Sequence, residues 1–393
     1  MVVIPSLNFL VLASLVFIFA EWTRRIFWMG RFRHRNPPIV PAPKDGPLSS
    51  EKVSIIVPAR NEEKNIAHCL FHLMKQDLPG IEIIVVDDRS DDRGPHLMEN
   101  FKKLSSVPLK IVRIEKLPPG WTGKNHAMFV GSKAASHEWL LFTDADTTHK
   151  PHSVRTALSA AQKGNIDFLT LAPEVECLSF WENAVQPLAV SSLALWFNTA
   201  ELNEPNSSTV LANGQFILIR KKVYEAVGGN ESVKNEVVED VEFAKKVKQA
   251  GYTVKFLNGT LLYSTRMYSS LKQILNGWTR IFVYLFNKKI PPILEKIFLF
   301  GFFSLLPFAV AGHQVFLRLS QDPSFDPLLL GISLGVSGWI ILIRFSGNKL
   351  LRSNPWYAFL HPLGSLVMIW ILSVCIWRIA GKRPSEWRGQ HYH

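Results

Sequence analysis

Four apolar stretches constrain this chain more than any other feature, because a run of about 20 apolar residues that meets lipid has to be a helix. Residues 4–20 form the first, broken only by Pro5, Ser6, Asn8 and Ser14, and 291–317, 327–343 and 356–377 follow near the C-terminus. No basic segment precedes the first run, and Arg24, Arg25, Arg31, Arg33 and Arg35 follow it, the pattern of a signal anchor rather than a cleaved signal peptide. The expectation is a multi-pass protein of the cell (inner, cytoplasmic) membrane. The positive-inside rule puts the segment after the first span in the cytosol. The formal charge of +12 has the same explanation, since arginines next to a span meet anionic headgroups. No interleaving of aromatic and basic residues marks an RNA-binding sheet, so no nucleic-acid partner is expected. Three scattered cysteines, Cys69, Cys177 and Cys375, give neither a disulfide framework nor a metal spacing, in keeping with a reducing compartment.

Between the first and second apolar stretches the pattern changes. A basic, proline-rich connector covers 31–51, and a regular alternation of strand and helix signals then begins. Val53-Ser-Ile-Ile-Val-Pro58, Ile81-Glu-Ile-Ile-Val-Val86, the segment 109–114 and the run from Trp139 to Phe142 are near-continuous apolar strands. The stretch 65–76 between the first two has a helical period in Ile66, Leu70, Leu73 and Met74. Such strands separated by helices predict an α/β domain with a mostly parallel sheet covered on both faces. Further along, 213–220 reads as another strand, and 237–247 as a helix whose first turn carries Glu239 and Asp240.

Carboxylates gather at predicted strand ends, where open α/β sheets bind ligands. After Phe142 comes Thr143-Asp-Ala-Asp146. If the strand continues through Ala145, Asp144 and Asp146 point the same way. Two hard oxygen donors there suit Mg²⁺ or Mn²⁺, with diphosphate oxygens completing the shell; the bland alternative is turn chemistry. Asp87 or Asp88, after the second strand, has the chemistry to accept hydrogen bonds from a base or ribose, or Asp88 and Ser90 merely cap the next helix. The glycine-punctuated segment Pro118-Pro-Gly-Trp-Thr-Gly-Lys-Asn-His-Ala127 reads as a tight loop that brings Lys124 and backbone N–H groups to a diphosphate. It lacks the spacing of a P-loop. Asp240 suits a general base that takes a proton from an acceptor hydroxyl, although carboxylates are common in a first helical turn for dipole reasons alone.

Two features point to lipid. The segment 180–197 is rich in Ala, Leu, Val and Trp yet contains Glu182, Asn183, Gln186 and Pro187, so it is either an interfacial, acceptor-facing helix or a buried core helix. The segment 268–286 is amphipathic and places Trp278 and Arg280 just before the second span, as side chains at headgroup level.

The order of these motifs is recognisable. Ile56-Val-Pro-Ala-Arg-Asn-Glu-Glu63, Val85-Val-Asp-Asp-Arg-Ser90, Thr143-Asp-Ala-Asp146 and Glu239-Asp240 resemble the family-2 glycosyltransferases with a GT-A fold. Gly120-Trp-Thr-Gly-Lys-Asn-His-Ala127 and the tail Glu386-Trp-Arg-Gly-Gln-His-Tyr392 look like the hopanoid-associated and carotenoid branch of that family. The resemblance implies an inverting transfer from a nucleotide sugar, with a UDP-sugar as the expected donor and a lipid as acceptor. It implies that Pro58, Ala59, Glu62 and Asp87 or Asp88 hold the nucleotide, that Asp146 ligates the metal with Asp144 nearer the ribose or metal, and that Asp240 is the base. One departure matters: the Q/R-x-x-R-W motif of many relatives is not intact, because Gly277 precedes Trp278 and Arg280 follows it. That lowers the case for processive polysaccharide synthesis and favours a single lipid hydroxyl or acid; the alternatives are a polyprenyl-phosphate or polysaccharide glycosyltransferase, or a catalytically idle membrane scaffold that keeps the fold.

The expected organisation is an anchor at 1–30, the connector at 31–51, the GT-A domain at 52–290, spans within 291–378 and a basic tail at 379–393. Three complete C-terminal spans would leave Arg378, Lys382, Arg383 and Arg388 outside, against the charge rule. A re-entrant last segment, bent near His361-Pro-Leu-Gly364, would remove the conflict.

Overall fold

The computed structural model describes residues 7–43, 50–196, 202–204, 207, 209–381, 385–387 and 390–392. Part of the connector, and Lys382, Arg383 and Arg388 of the tail, lie outside the described residues.

The chain opens with helix α1 (Leu7–Arg35) and then enters the α/β domain. Its strands are β1 (Val53–Ala59), β2 (Ile81–Asp88), β3 (Leu109–Ile114), β4 (Trp139–Phe142), β5 (Thr147–His149), β6 (Phe168–Ala172), β7 (Glu174–Val175), β8 (Ile217–Arg220), β9 (Val254–Asn258) and β10 (Tyr263–Thr265). The helices between them are α2 (Ile66–Met74), α3 (Gly94–Leu104), α4 (Gly123–Ala134), α5 (Ser153–Lys163), α6 (Phe180–Trp196), α7 (Lys221–Ala226) and α8 (Glu239–Gln249). Helices α9 (Leu271–Leu285), α10 (Ile290–Leu299), α11 (Leu306–Leu319), α12 (Pro327–Leu350) and α13 (His361–Ala380) follow.

Seven strands form the main sheet in the order β3-β2-β1-β4-β8-β6-β9. All pairs are parallel except those of β8, which runs antiparallel to both β4 and β6. The apolar runs explain this: every residue of β2 is buried, because helices cover both faces. Alternate residues separate into two cores. Ile55, Val57, Ile83, Val85 and Leu141 pack with α2 and α5, while Ile56, Ile84, Val86, Leu140 and Phe142 pack with α4 and α8. The chain order reverses between β1 and β4, which creates a crevice beyond their C-terminal ends. Because β8 is antiparallel, its start lies beside the end of β4, with Phe142 opposite Ile217, so residues 213–216 reach the same edge.

Strand geometry does not persist through Ala145. Residues 145–146 form a turn, and the chain then enters a small second sheet, β5-β10-β7. Thr143 Oγ1 anchors this turn by donating to Gln215 O at 2.9 Å, and Thr147 Oγ1 donates to Asp144 O at 2.7 Å. The expected loop around Lys124 is also shorter than its glycines imply. Thr122 caps α4 by accepting from the Asn125 N–H at 3.3 Å, so Gly123 and Lys124 already lie in the first helical turn.

Among the described residues, three helical segments are long and apolar enough to cross a membrane: Ile290–Leu319, Pro327–Leu350 and Pro355–Ala380. The first is α10 and α11 joined without a break by a π-helical turn, Phe300–Leu305. Helix α1 packs along α12, burying Leu15, Ile18 and Trp22, and Trp22 Nε1 donates to Phe303 O at 2.9 Å. Helix α13 continues directly from the 3-10 turn Pro355–Leu360, so residues 361–364 are its first turn and are helical rather than the expected bend. Its Val367, Met368, Ile371, Leu372 and Cys375 pack in one core with α6, α9 and Ile293 of α10.

Candidate active site

A cavity of about 590 Å³ opens at the crevice between β1 and β4. The end of β1 supplies Pro58 and Ala59, the loop after it Glu62, and the end of β2 Asp88. The turn after β4 contributes Asp144 and Asp146, α4 contributes Lys124, and the first turn of α8 contributes Glu239 and Asp240. The cavity continues past Val190 and Leu193 of α6 to Trp278, Arg280, Ile281 and Leu285 of α9. One space therefore joins a carboxylate-rich end to an apolar end beside the helical bundle.

Asp87 is the sequence-expected residue that does not line it. Neighbouring residues on a strand face opposite ways, and Asp87 Oδ1 accepts from the Ser90 N–H at 3.1 Å while Oδ2 faces Arg113 Nε at 3.3 Å. Asp87 thus braces the turn after β2. Asp88 caps no helix: it pairs with Arg89 at 2.8 Å and Arg60 at 3.7 Å, and α3 has no side-chain cap. Trp278 does not face lipid. It is 1% exposed, and its Nε1 donates to Gln186 Oε1 at 2.6 Å, which fastens α9 to α6. The buried-core alternative for 180–197 therefore describes the polar face of α6, where Glu182 and Gln186 are fully enclosed. Glu182 itself is paired with Arg266 at 2.8 Å.

Lys124 is the electrostatic centre. Its Nζ lies 2.9 Å from Asp144 Oδ1 and 3.0 Å from Glu239 Oε1. Burial alone would lower the ammonium pKa, but the charges of Asp144, Glu239 and Asp240 outweigh it and hold Lys124 above the usual lysine range. Asp240 is shifted the other way from an ordinary carboxylate. Burial and then the charge of Glu239 push it up to about 7, against the opposing pull of Lys124 and of backbone N–H groups. Those donors fix its orientation: Gly214 N–H to Oδ2 and Val241 N–H to Oδ1, both at 2.8 Å. A Cβ at Gly214 would sit 2.9 Å from Lys124 Nζ, so a side chain there would displace the ammonium from its present position.

Sequence reasoning missed the Lys124–Glu239 pair and the Gly214 donor. The residues stand far apart in the chain, and the only local signal was a glycine near the start of the strand read over 213–220. The broken Q/R-x-x-R-W pattern also gains a physical cause. A side chain at position 277 would collide with the Tyr268 ring, so Gly277 and Tyr268 together leave no room for arginine there.

Among the described residues no three His, Cys, Asp or Glu side chains are arranged to hold a metal. Asp144 and Asp146 offer two hard oxygens at the cavity wall, and one of them, Asp146 Oδ1, is enclosed and receives no hydrogen bond, although the residue has other partners. That set fits a cation whose remaining ligands arrive with a diphosphate and water.

Comparisons with known proteins agree with this geometry. The sequence model of glycosyl transferase family 2 matches residues 54–228. The 4,4'-diaponeurosporenoate glycosyltransferase of Staphylococcus aureus (strain USA300) is 28% identical over 239 residues, which cover 59% of this chain and 61% of that protein. The chain thus matches about three fifths of that relative's length. A mannosyltransferase from Pyrobaculum calidifontis, solved in complex with GDP-Man and Mn²⁺, has a similar fold, with a TM-score of 0.53 at 16% identity over 94% of this chain and 99% of that one. The sheet order, the crevice and the family match agree: residues 54–228 match the glycosyl transferase family 2 model within an α/β domain of GT-A-like fold, which among the described residues is accompanied by an N-terminal helix and three helices apolar enough to span a membrane.

Proposed function

We propose that this protein is a membrane-bound glycosyltransferase that moves a sugar from a nucleotide diphospho-sugar to a lipid acceptor with inversion. The observation that supports this best is the continuity of the cavity, polar at the β1–β4 crevice and apolar between α6 and α9. Pro58, Ala59, Glu62 and Asp88 lie where a nucleoside would sit, and Asp87 supports that wall from outside. Asp146, with Asp144, would hold Mg²⁺ or Mn²⁺ against the diphosphate. That cation would offset the charge developing on the leaving diphosphate. Lys124 adds a fixed positive charge to the same end.

Asp240 takes the proton of the acceptor hydroxyl or acid as its oxygen forms a bond to the anomeric carbon. The anomeric C–O bond to the diphosphate breaks, and its electron pair leaves with the nucleotide. A carboxylate whose pKa is pushed up to about 7 is well matched to this task near neutral pH. Trp278 shapes the acceptor end from inside, and Arg280 lines the same wall. The Tyr268–Gly277 packing favours single glycosylation over processive synthesis.

The spans and arginine flanks favour the cell membrane, with the catalytic domain in the cytosol. The sequence ranges 1–30, 52–290 and 291–378 serve as anchor, catalytic domain and membrane region in this reading. Helix α13 packs along α6 and α9, which also wall the cavity, so it favours a last segment that turns back and leaves the basic tail on the cytosolic side. Protease access to the tail in sealed inverted vesicles tests that arrangement.

The deciding experiment is thermal stability of the purified protein with UDP or GDP, each with and without Mn²⁺. UDP is the expected nucleotide, giving a metal-dependent rise by linkage. A rise with GDP alone moves the donor to a GDP-sugar. No rise with either, and no turnover of any nucleotide sugar, leaves an idle membrane scaffold as the better reading.

A further inference from the structure

The spanning bundle encloses a second polar cluster, apart from the cavity of the proposed donor site. Along α12, Ser333, Ser337, Arg344 and Asn348 recur at helical spacing on one face, and all four are buried. Arg344 is 5% exposed, and its Nε is an enclosed donor with no acceptor. Among the described residues no carboxylate lies within ion-pair distance of it. Asn348 is fully buried; its Nδ2 donates to Asn354 O at 3.3 Å, and its Oδ1 receives nothing. Facing this stripe is His361, 2% exposed, which feels the Arg344 charge and has an enclosed Nδ1 without a partner. Trp22 and Phe308 hold its ring, at centroid distances of 5.7 and 6.0 Å. Ser337 Oγ is enclosed and unbonded as well.

A guanidinium keeps its proton in any protein environment, so burial cannot neutralise it. Inside a bilayer an ionised side chain is costly without a counter-charge, and such residues are normally paired. Here nothing in the described chain supplies one. The unmet groups are mostly donors (guanidinium Nε–H, a serine hydroxyl, an imidazole nitrogen), which suits an anion with several acceptor oxygens. Asn348 Oδ1, the acceptor of the set, suits a water or a protonated phosphate oxygen.

We propose that Arg344, with His361 and Ser337, binds a phosphate anion within the helical bundle. Arg344 lies six residues before the end of α12, or about 9 Å along the axis. That end is on the catalytic side, because Arg352 just beyond it pairs with Glu174 of the α/β domain at 3.2 Å. A lipid whose phosphate is drawn in from that side is the favoured occupant; free phosphate is the other source of the same chemistry. Leu351, one turn beyond Asn348, lines the donor cavity, so an occupied site would also stiffen that wall.

The test uses the full chain in dodecyl maltoside, which contains no phosphate, and follows thermal unfolding by tryptophan fluorescence. Phosphatidylglycerol, the phosphate-free lipid diolein and inorganic phosphate are added separately. The expected result is a rise of about 2 °C or more with phosphatidylglycerol and none with diolein. A rise with inorganic phosphate alone also supports the site and makes free phosphate its occupant. Arg344→Met should lose the phosphate-dependent rise yet melt no lower than wild type without lipid, because it removes an unpaired buried charge. Arg352→Gln, a change at the exposed pair, should keep the rise. The proposal is overturned if Arg344→Met keeps the full rise, if diolein matches phosphatidylglycerol, or if Arg344→Met melts well below wild type in maltoside alone. Native mass spectrometry gives a second readout: wild type should retain one phosphatidylglycerol and His361→Phe should not, and equal retention by both also overturns it.

Discussion

At the N-terminal edge of the main sheet, Glu82 is buried with every need met. It accepts from Ser54 Oγ and the Ser136 N–H, both at 2.6 Å, and pairs with Lys110 at 2.8 Å. Burial pushes its pKa up, but those donors outweigh it and hold the carboxyl down at about 2. At the C-terminal edge Asp240 is also enclosed, yet burial and Glu239 win and leave it near 7. The same residue class thus has opposite fates on one sheet. A fully donated carboxylate adds to stability, whereas one crowded by a second carboxylate stores a proton affinity that chemistry can use.

The largest break in this contrast should come from Asp146→Ala, which should abolish any Mn²⁺-dependent rise in melting temperature with the donor nucleotide while leaving the apo melting point near wild type. Asp240→Asn comes next. Turnover should fall by at least ~10²-fold with donor binding retained; loss of donor binding would sink the assignment of Asp240 as base. In wild type the turnover–pH profile should drop as pH falls through about 7, roughly tenfold per unit, since Asp240 is then protonated. A flat profile from pH 5 to 8 would count against its proposed role.

Glu82→Gln should leave turnover intact and cost about 1–3 kcal/mol of stability at neutral pH, because partners of a buried carboxylate lose their acceptor. The sign of its pH dependence is opposite to that of a raised group. A depressed carboxylate stabilises above the unfolded value of about 4.3, and its contribution is lost as pH falls toward 2. The gap between wild type and Glu82→Gln, measured by denaturant titration, should close over that window. The smallest effect belongs to Arg93→Ala. The Arg93–Glu63 pair is 3.5 Å long with Arg93 89% exposed, so the change should stay within about 0.5 kcal/mol.

The central strands were legible because each is a short apolar run between turn signals, and burial on both faces permits no other pattern. Strand β9 was not, because its residues are all half-buried and Lys255 and Asn258 interrupt the run. Strands β5, β7 and β10 span only two or three residues and exist through pairing rather than pattern. Within the site, single acids at strand and helix ends could be read directly. What could not be read was contact across the fold: Lys124 to Glu239, Gly214 to Asp240, and Gln186 to Trp278. Amphipathic spacing on α9 pointed Trp278 toward lipid, since periodicity identifies an apolar face but not which neighbour covers it.

The apolar end of the cavity, between α6 and α9, gives the proposed lipid acceptor a kinetic signature. A lipid that reached it from the bilayer would arrive by lateral diffusion in a sheet, so its effective concentration would be a surface mole fraction. Dilution of the acceptor with inert lipid at constant bulk concentration should slow the reaction, while dilution of the whole suspension with buffer should not.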